Sequence, residues 1–154
     1  MYSKEELSQI NTLFWDDFKK IMKPIRNASD RRINWVNYNT HLKNVYLRLT
    51  TEKTAVALCF DIQMKDASIR EIVWEQMGEL SMLLNNSMQS KAIWEAHLAS
   101  ESNANFCRIS WRLENVNYLN EGDRPKIYDF FKEHLIQFDQ FYDTYSEILI
   151  QLMD

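Results

Sequence analysis

The first apolar positions, Leu7, Ile10, Phe14, Phe18 and Ile21, recur three or four residues apart, which gathers them on one stripe of a helix. Ser3 and Glu6 stand just ahead of that stripe as a capping box, each side chain placed to satisfy the other's backbone N–H. Pro24 disfavours the α conformation at Lys23, so the helix is expected to stop there. Three strand-like runs follow. Residues 33–38 and 44–50 are joined by the polar stretch 39–43, a hairpin spacing. Residues 54–64 are almost continuously apolar, as in a strand covered on both faces, and are expected at the centre of a sheet.

Asp66 or Ser68 caps the next helix, with Ser68 and Glu71 forming a second capping box. Its apolar face is Ile69, Ile72, Val73, Met77, Leu80, Leu83 and Leu84, and Asn85-Asn86 is expected to end it. Residues 90–99, with Ile93, Trp94 and Leu98, read as a shorter helix. Residues 106–113 then alternate: Cys107, Ile109, Trp111 and Leu113 on one face, Arg108, Ser110 and Arg112 on the other. That is a half-buried strand with a basic outer face. Glu121-Gly122-Asp123 is a turn, with Asp123 as N-cap and Pro125 in the first turn of a last, long helix. The expected order is α-β-β-β-α-α-β-α. This is an α+β fold, a four-stranded, mostly antiparallel sheet packed by helices. With no linker, repeat or low-complexity tract, residues 1–154 are expected to form a single domain.

Composition excludes several chemistries. Gly78 and Gly122 are the only glycines, too few for a phosphate-cradling loop or a dinucleotide fingerprint. Cys59 and Cys107 lie far apart inside strand-like runs, which suits reduced, buried thiols and not a paired-cysteine zinc site. His41, His97 and His134 do not pair at ligand spacing. No cofactor and no metal are therefore expected. No apolar run approaches a membrane span, and the acidic, polar first residues do not resemble a signal peptide, so a cytoplasmic protein is expected. Five Trp, seven Tyr and eight Phe exceed what one core of this length needs, and such a surplus often goes to interfaces.

A metal-dependent nuclease needs carboxylates and a lysine grouped on neighbouring strand positions. Asp61, Gln63 and Lys65 approach that pattern, with Glu71 or Glu75 as helical partner, but Gln63 is neutral where a carboxylate is wanted. The plainer reading of Asp61 is a strand-end carboxylate bonded to neighbouring backbone. Glu71, Glu75 and Glu79, and likewise Asp139, Asp143 and Glu147, recur every four residues and read as solvated helix faces.

Charge is uneven. Residues 16–48 hold eight basic groups against three acidic, and residues 114–154 hold nine acidic against three basic. Lys19, Lys20, Lys23, Arg26, Arg31 and Arg32 cluster around a helix end, just before Trp35, Asn37 and Tyr38. Basic groups with aromatics and amides can grip a phosphate backbone and stack bases. Together with Arg48, Arg108 and Arg112 on strand faces they form the candidate nucleic-acid-binding set. The alternative is that the lysines favour the helix C-terminus and the arginines pair with the acidic last helix. Phe131, Phe138, Phe141 and Tyr145 belong to a heptad-like seam on that helix, broad enough to mate with a second copy and give a homodimer. The alternative is that the seam covers the sheet and second helix of its own chain.

Phe14-Trp15, Arg32-Ile33-Asn34-Trp35-Val36-Asn37-Tyr38, Tyr46-Leu47-Arg48, Ile69-Arg70-Glu71 with Trp74-Glu75-Gln76, Arg108-Ile109 and Phe130-Phe131-Lys132 together resemble the bacterial family called domain of unknown function 4268. The resemblance runs from about Asn11 to Leu152. The family has no established activity. Its members often carry the domain behind a restriction-endonuclease-like module, which implies an accessory role in nucleic-acid processing or defence, with nucleic acid or a nuclease as partner. The function expected is a non-catalytic binding domain. An unusual metal-dependent nuclease, or a structural protein binding partners through its last helix, are the alternatives.

Overall fold

The computed structural model describes residues 1–102 and 105–153. Helix α1 (Lys4–Met22) starts where the capping box puts it. The Glu6 N–H donates to Ser3 Oγ at 3.1 Å and the Ser3 N–H donates to Glu6 Oε1 at 3.2 Å. Phe14 and Phe18 of the expected stripe are buried, but Leu7 and Ile21 are exposed and Met22 takes the last inward position.

Strands β1 (Val45–Thr51) and β2 (Ala55–Ile62) form an antiparallel pair. Asp66 caps helix α2 (Ala67–Glu79), its Oδ1 accepting from the Ser68 and Ile69 N–H groups, so the Ser68–Glu71 box is not used. The helix breaks at Leu80 and resumes as α3 (Ser81–Met88), which runs past Asn85-Asn86 to a left-handed cap at Gln89. Strands β3 (Ile93–Leu98) and β4 (Phe106–Glu114) follow, then a 3-10 turn at Glu121–Asp123 and helix α4 (Arg124–Leu152). Asp123 stands at the N-cap of α4, yet its carboxylate accepts from the Asn117 N–H instead of capping the helix.

The fold is α+β with a four-stranded antiparallel sheet, spatial order β1-β2-β4-β3, four helices and a long last helix. Two segments differ from the expected order. Residues 33–38 are not a strand: the Asn37 N–H donates to Asn34 Oδ1 at 3.2 Å and turns the chain, and Tyr38 makes one isolated bridge to Leu47. Side-chain carbonyls of Asn compete with the ladder for backbone donors, which is why Asn-rich runs prefer turns. Residues 90–99 are not a helix. They complete the edge of the sheet, Trp94 opposite Ile109 and turned in against Trp74 at a centroid separation of 5.3 Å. Short apolar runs carry no reliable period, and the open edge of β4 decides the outcome.

β2 is central, as its continuous apolar character predicts, and all eight of its residues are buried. Val56, Leu58, Phe60 and Ile62 face the helices and join one core cluster with Ile109, Trp111, Val73, Met77 and the inner stripe of α4. Ala55, Ala57, Cys59 and Asp61 alternate onto the other face, flanked in register by Tyr46 and Arg48 of β1 and Arg108, Ser110 and Arg112 of β4.

The aromatic seam of α4 is spent inside this core. Phe131 and Phe138 are fully buried and Phe141 is 1% exposed. Phe131 packs on Phe18 and Trp15 of α1, and Phe138 packs on Phe60 and Trp111 of the sheet. Tyr145 is half-buried against Phe141. Covering the sheet and α1 within the same chain thus removes the Phe131, Phe138 and Phe141 rings from water. Among the described residues no helix is long and apolar enough to cross a membrane.

Candidate functional site

The segment between α1 and β1 lies as a strap across α4. The Ala28 N–H donates to Asp139 Oδ2 at 2.7 Å and the Tyr38 hydroxyl to Asp139 Oδ1 at 2.6 Å. One helical turn on, Asp143 Oδ1 accepts from the Ser29 hydroxyl at 2.6 Å. Between them the Tyr142 hydroxyl donates to the Thr40 carbonyl, also at 2.6 Å. Trp35 anchors the strap from within, its indole N–H donating to the Ile25 carbonyl at 3.0 Å. Burial, then the adjacent Asp139 carboxylate, pushes the Tyr38 phenol far above its ordinary range, and burial does the same to Tyr142. Both therefore remain protonated donors.

Asn side chains shape the strap. Asn27 Oδ1 accepts from the Ser29 and Arg31 N–H groups around Asp30, whose φ is 60°. Asn34 Oδ1 accepts from Asn37, and Asn39 Oδ1 accepts from the His41 N–H. Each of these asparagines spends its carbonyl oxygen on a local turn. Among the described residues none of the three donates through its amide nitrogen. Strap and α4 together line a cleft of about 410 Å³, with Asn27, Arg31, Asn34, Asn37 and Asn39 contributed by the strap and Tyr142, Asp143 and Ser146 by α4. A second hollow of about 320 Å³ lies on the α1 side, lined by Lys19, Lys20, Lys23 and Trp35. Ile33 and Asn34 line both, so the two are continuous neighbours.

The structure divides the candidate basic residues into two groups. On the sheet, Arg108 donates from Nε to Asp61 Oδ1 at 2.7 Å and from Nη2 to Oδ2 at 3.0 Å, and Arg48 Nη1 lies 3.5 Å from the same Oδ2. Arg112 pairs with Glu114 at 2.8 Å and also with Glu52. The bond to Asp61 raises Arg108 above its ordinary range, and Arg112 lowers the Glu52 carboxyl. These cations are neutralised in place. On the strap side Arg26 reaches Asp30 only at 3.9 Å. Lys19, Lys20, Lys23, Arg31 and Arg32 are exposed and make no ion pair among the described residues. The acidic groups of α4 do not neutralise them, because Asp139 and Asp143 turn to the strap's N–H and hydroxyl donors instead.

Asp61 is fully buried with both oxygens held by the Arg108 side chain and not by neighbouring backbone, and Lys65 is exposed beyond the end of β2. Glu71 and Glu75 are exposed on α2. Among the described residues no three His, Cys, Asp or Glu side chains are grouped to hold a metal ion. His134 packs on Phe130, and burial lowers its pKa. Burial raises both thiols, Cys59 to about 11.

Sequence reasoning missed Asp139. It is 4% exposed, not part of a solvated face. The available signal was its place between Phe138 and Phe141 on an apolar stripe, where a carboxylate persists only if it is satisfied. The other signal was the run of asparagines at positions 27, 34, 37 and 39.

Fold and site together define a two-layer α+β domain that presents unpaired lysines beside an amide-lined cleft. The chain belongs to the family described as Domain of unknown function (DUF4268), whose model matches residues 10–146. No curated protein and no solved structure matches it.

Proposed function

We propose that this is a non-catalytic nucleic-acid-binding domain, accessory to nucleic-acid processing in a bacterial cytoplasm. The observation that carries the reading is the split among the basic residues: the sheet arginines are consumed by carboxylates, whereas Lys19, Lys20 and Lys23 line a hollow with Trp35 and have no carboxylate partner among the described residues. Unpaired cations are the ones that release counterions when they meet phosphates. In this reading the lysines hold the backbone and the adjoining cleft meets the bases, a division in which phosphate contacts position and base contacts specify. A homodimer would dock through a surface other than Phe131, Phe138 and Phe141.

Anisotropy of labelled single-stranded and duplex oligonucleotides, titrated over a range of salt, tests this. Replacing Lys19, Lys20 and Lys23 by Ala should weaken binding at low salt. It should also flatten the dependence of log affinity on log salt by about 0.7 for each single-strand phosphate that the variant no longer neutralises. Arg112→Ala should leave that slope unchanged. A triple variant that binds like the wild type at every salt concentration would remove this patch as the site.

A further inference from the structure

We propose that the cleft between the strap and α4 accepts one unpaired guanine base of a single strand. This inference rests on the nucleic-acid reading above and names what that site would take. A duplex is read by an element that protrudes into its groove, whereas a concave site beside a phosphate-binding patch suits a base splayed out of a single strand. The cleft is such a concavity, at about 410 Å³, with the lysine hollow directly across Ile33 and Asn34.

The polar groups of its wall select among bases. Asn27, Asn34 and Asn39 spend their carbonyl oxygens on strap turns, which leaves their amide N–H groups as the donors they offer, and the Arg31 guanidinium adds more. From α4, Asp143 uses Oδ1 for Ser29, and its Oδ2 has no hydrogen bond among the described residues. The cleft thus offers several amide and guanidinium donors together with one carboxylate that has a free oxygen, and Asn37, His41 and Ser146 add groups able to donate or accept. Guanine engages the donors and the carboxylate together. Its O6 and N7 are adjacent acceptors, and its N1–H and N2–H groups are adjacent donors that one carboxylate can accept together. Uracil and thymine offer a single ring donor, and adenine and cytosine offer an exocyclic amine beside an acceptor.

The test compares a thymine- or uracil-only strand with the same strand carrying one central guanine, in DNA and RNA forms, and then with inosine, which lacks the N2 amine, in that place. The guanine strand should bind roughly tenfold more tightly than the thymine- or uracil-only strand, the scale of one good bidentate base contact, with the inosine strand, which keeps O6, N7 and N1–H, falling between them. Asp143 is exposed, so Asp143→Asn should fold normally; it should abolish the preference for guanine over inosine while keeping the salt dependence set by the lysines. If the effect appears in only one sugar series, that series identifies the polymer. Equal, salt-sensitive binding of all strands would overturn the guanine site and leave the phosphate-binding reading intact. No binding of any strand at low salt would overturn both.

Discussion

Replacing Arg108 by Ala should destabilise the protein by about 3 kcal/mol, the lower end of the cost of breaking a buried ion pair. Asp61 is fully buried on the central strand, and Arg108 donates to both of its oxygens. Without that side chain the carboxylate keeps only Arg48 at 3.5 Å. The lower end applies because the Arg108 side chain is 28% exposed, so water can enter the space it leaves. For a chain of this length the loss should appear as a fall in Tm of about 6–12 °C. The double variant Asp61→Leu, Arg108→Leu removes the stranded charge and should recover most of the deficit. Thermal melts of both variants check this; equal losses in the single and double variants would show that the ion pair itself, not the unpaired carboxylate, sets the cost.

Asp139→Ala should cost a comparable amount, about 3 kcal/mol, since it strips partners from the Ala28 N–H and the Tyr38 hydroxyl at about 1–3 kcal/mol for each group left unsatisfied. Asp139→Asn keeps one acceptor oxygen and should cost less. A titration separates this tie from general packing. The folded protein holds the Tyr38 phenol neutral well above its ordinary pKa. The contribution is therefore complete below about pH 10, where an unfolded tyrosine also keeps its proton, and is lost as pH rises from there toward the folded value. Wild-type stability should fall through that alkaline window, and Asp139→Ala should fall less steeply. Urea melts at stepped pH measure both slopes; parallel slopes would show that Asp139 does not hold the phenol.

The parts of the fold that were legible in the sequence are those where local chemistry and burial agree. Ser3 and Glu6 start α1 as their spacing requires, and the unbroken apolar run around Phe60 is the central strand. The misread segments are those in which tertiary partners outvote local pattern. Ile93 and Trp94 carry no period long enough to separate strand from helix, and the free edge of β4 recruits them. Ile33 and Val36 suggest a strand, but Asn34 and Asn37 turn the chain before any ladder forms. At the site, the basic cluster was visible as composition. Its division was not, because whether Arg108 is free or spent depends on Asp61, a cross-strand neighbour far away in sequence. The role of Asp139 was hidden likewise, since its donors sit on a strap distant along the chain.

The most direct test of nucleic-acid binding at this site is a chemical-shift map of the isotope-labelled protein titrated with a single-stranded oligonucleotide of mixed sequence at low salt. Perturbations should concentrate at Lys19, Lys20 and Lys23, along the strap from Arg31 to Asn39, at the Trp35 indole N–H, and at Asp143 and Ser146 of α4. Perturbations confined to Tyr46, Arg48, Arg108 and Arg112 on the outer sheet face, or none anywhere, would contradict binding there.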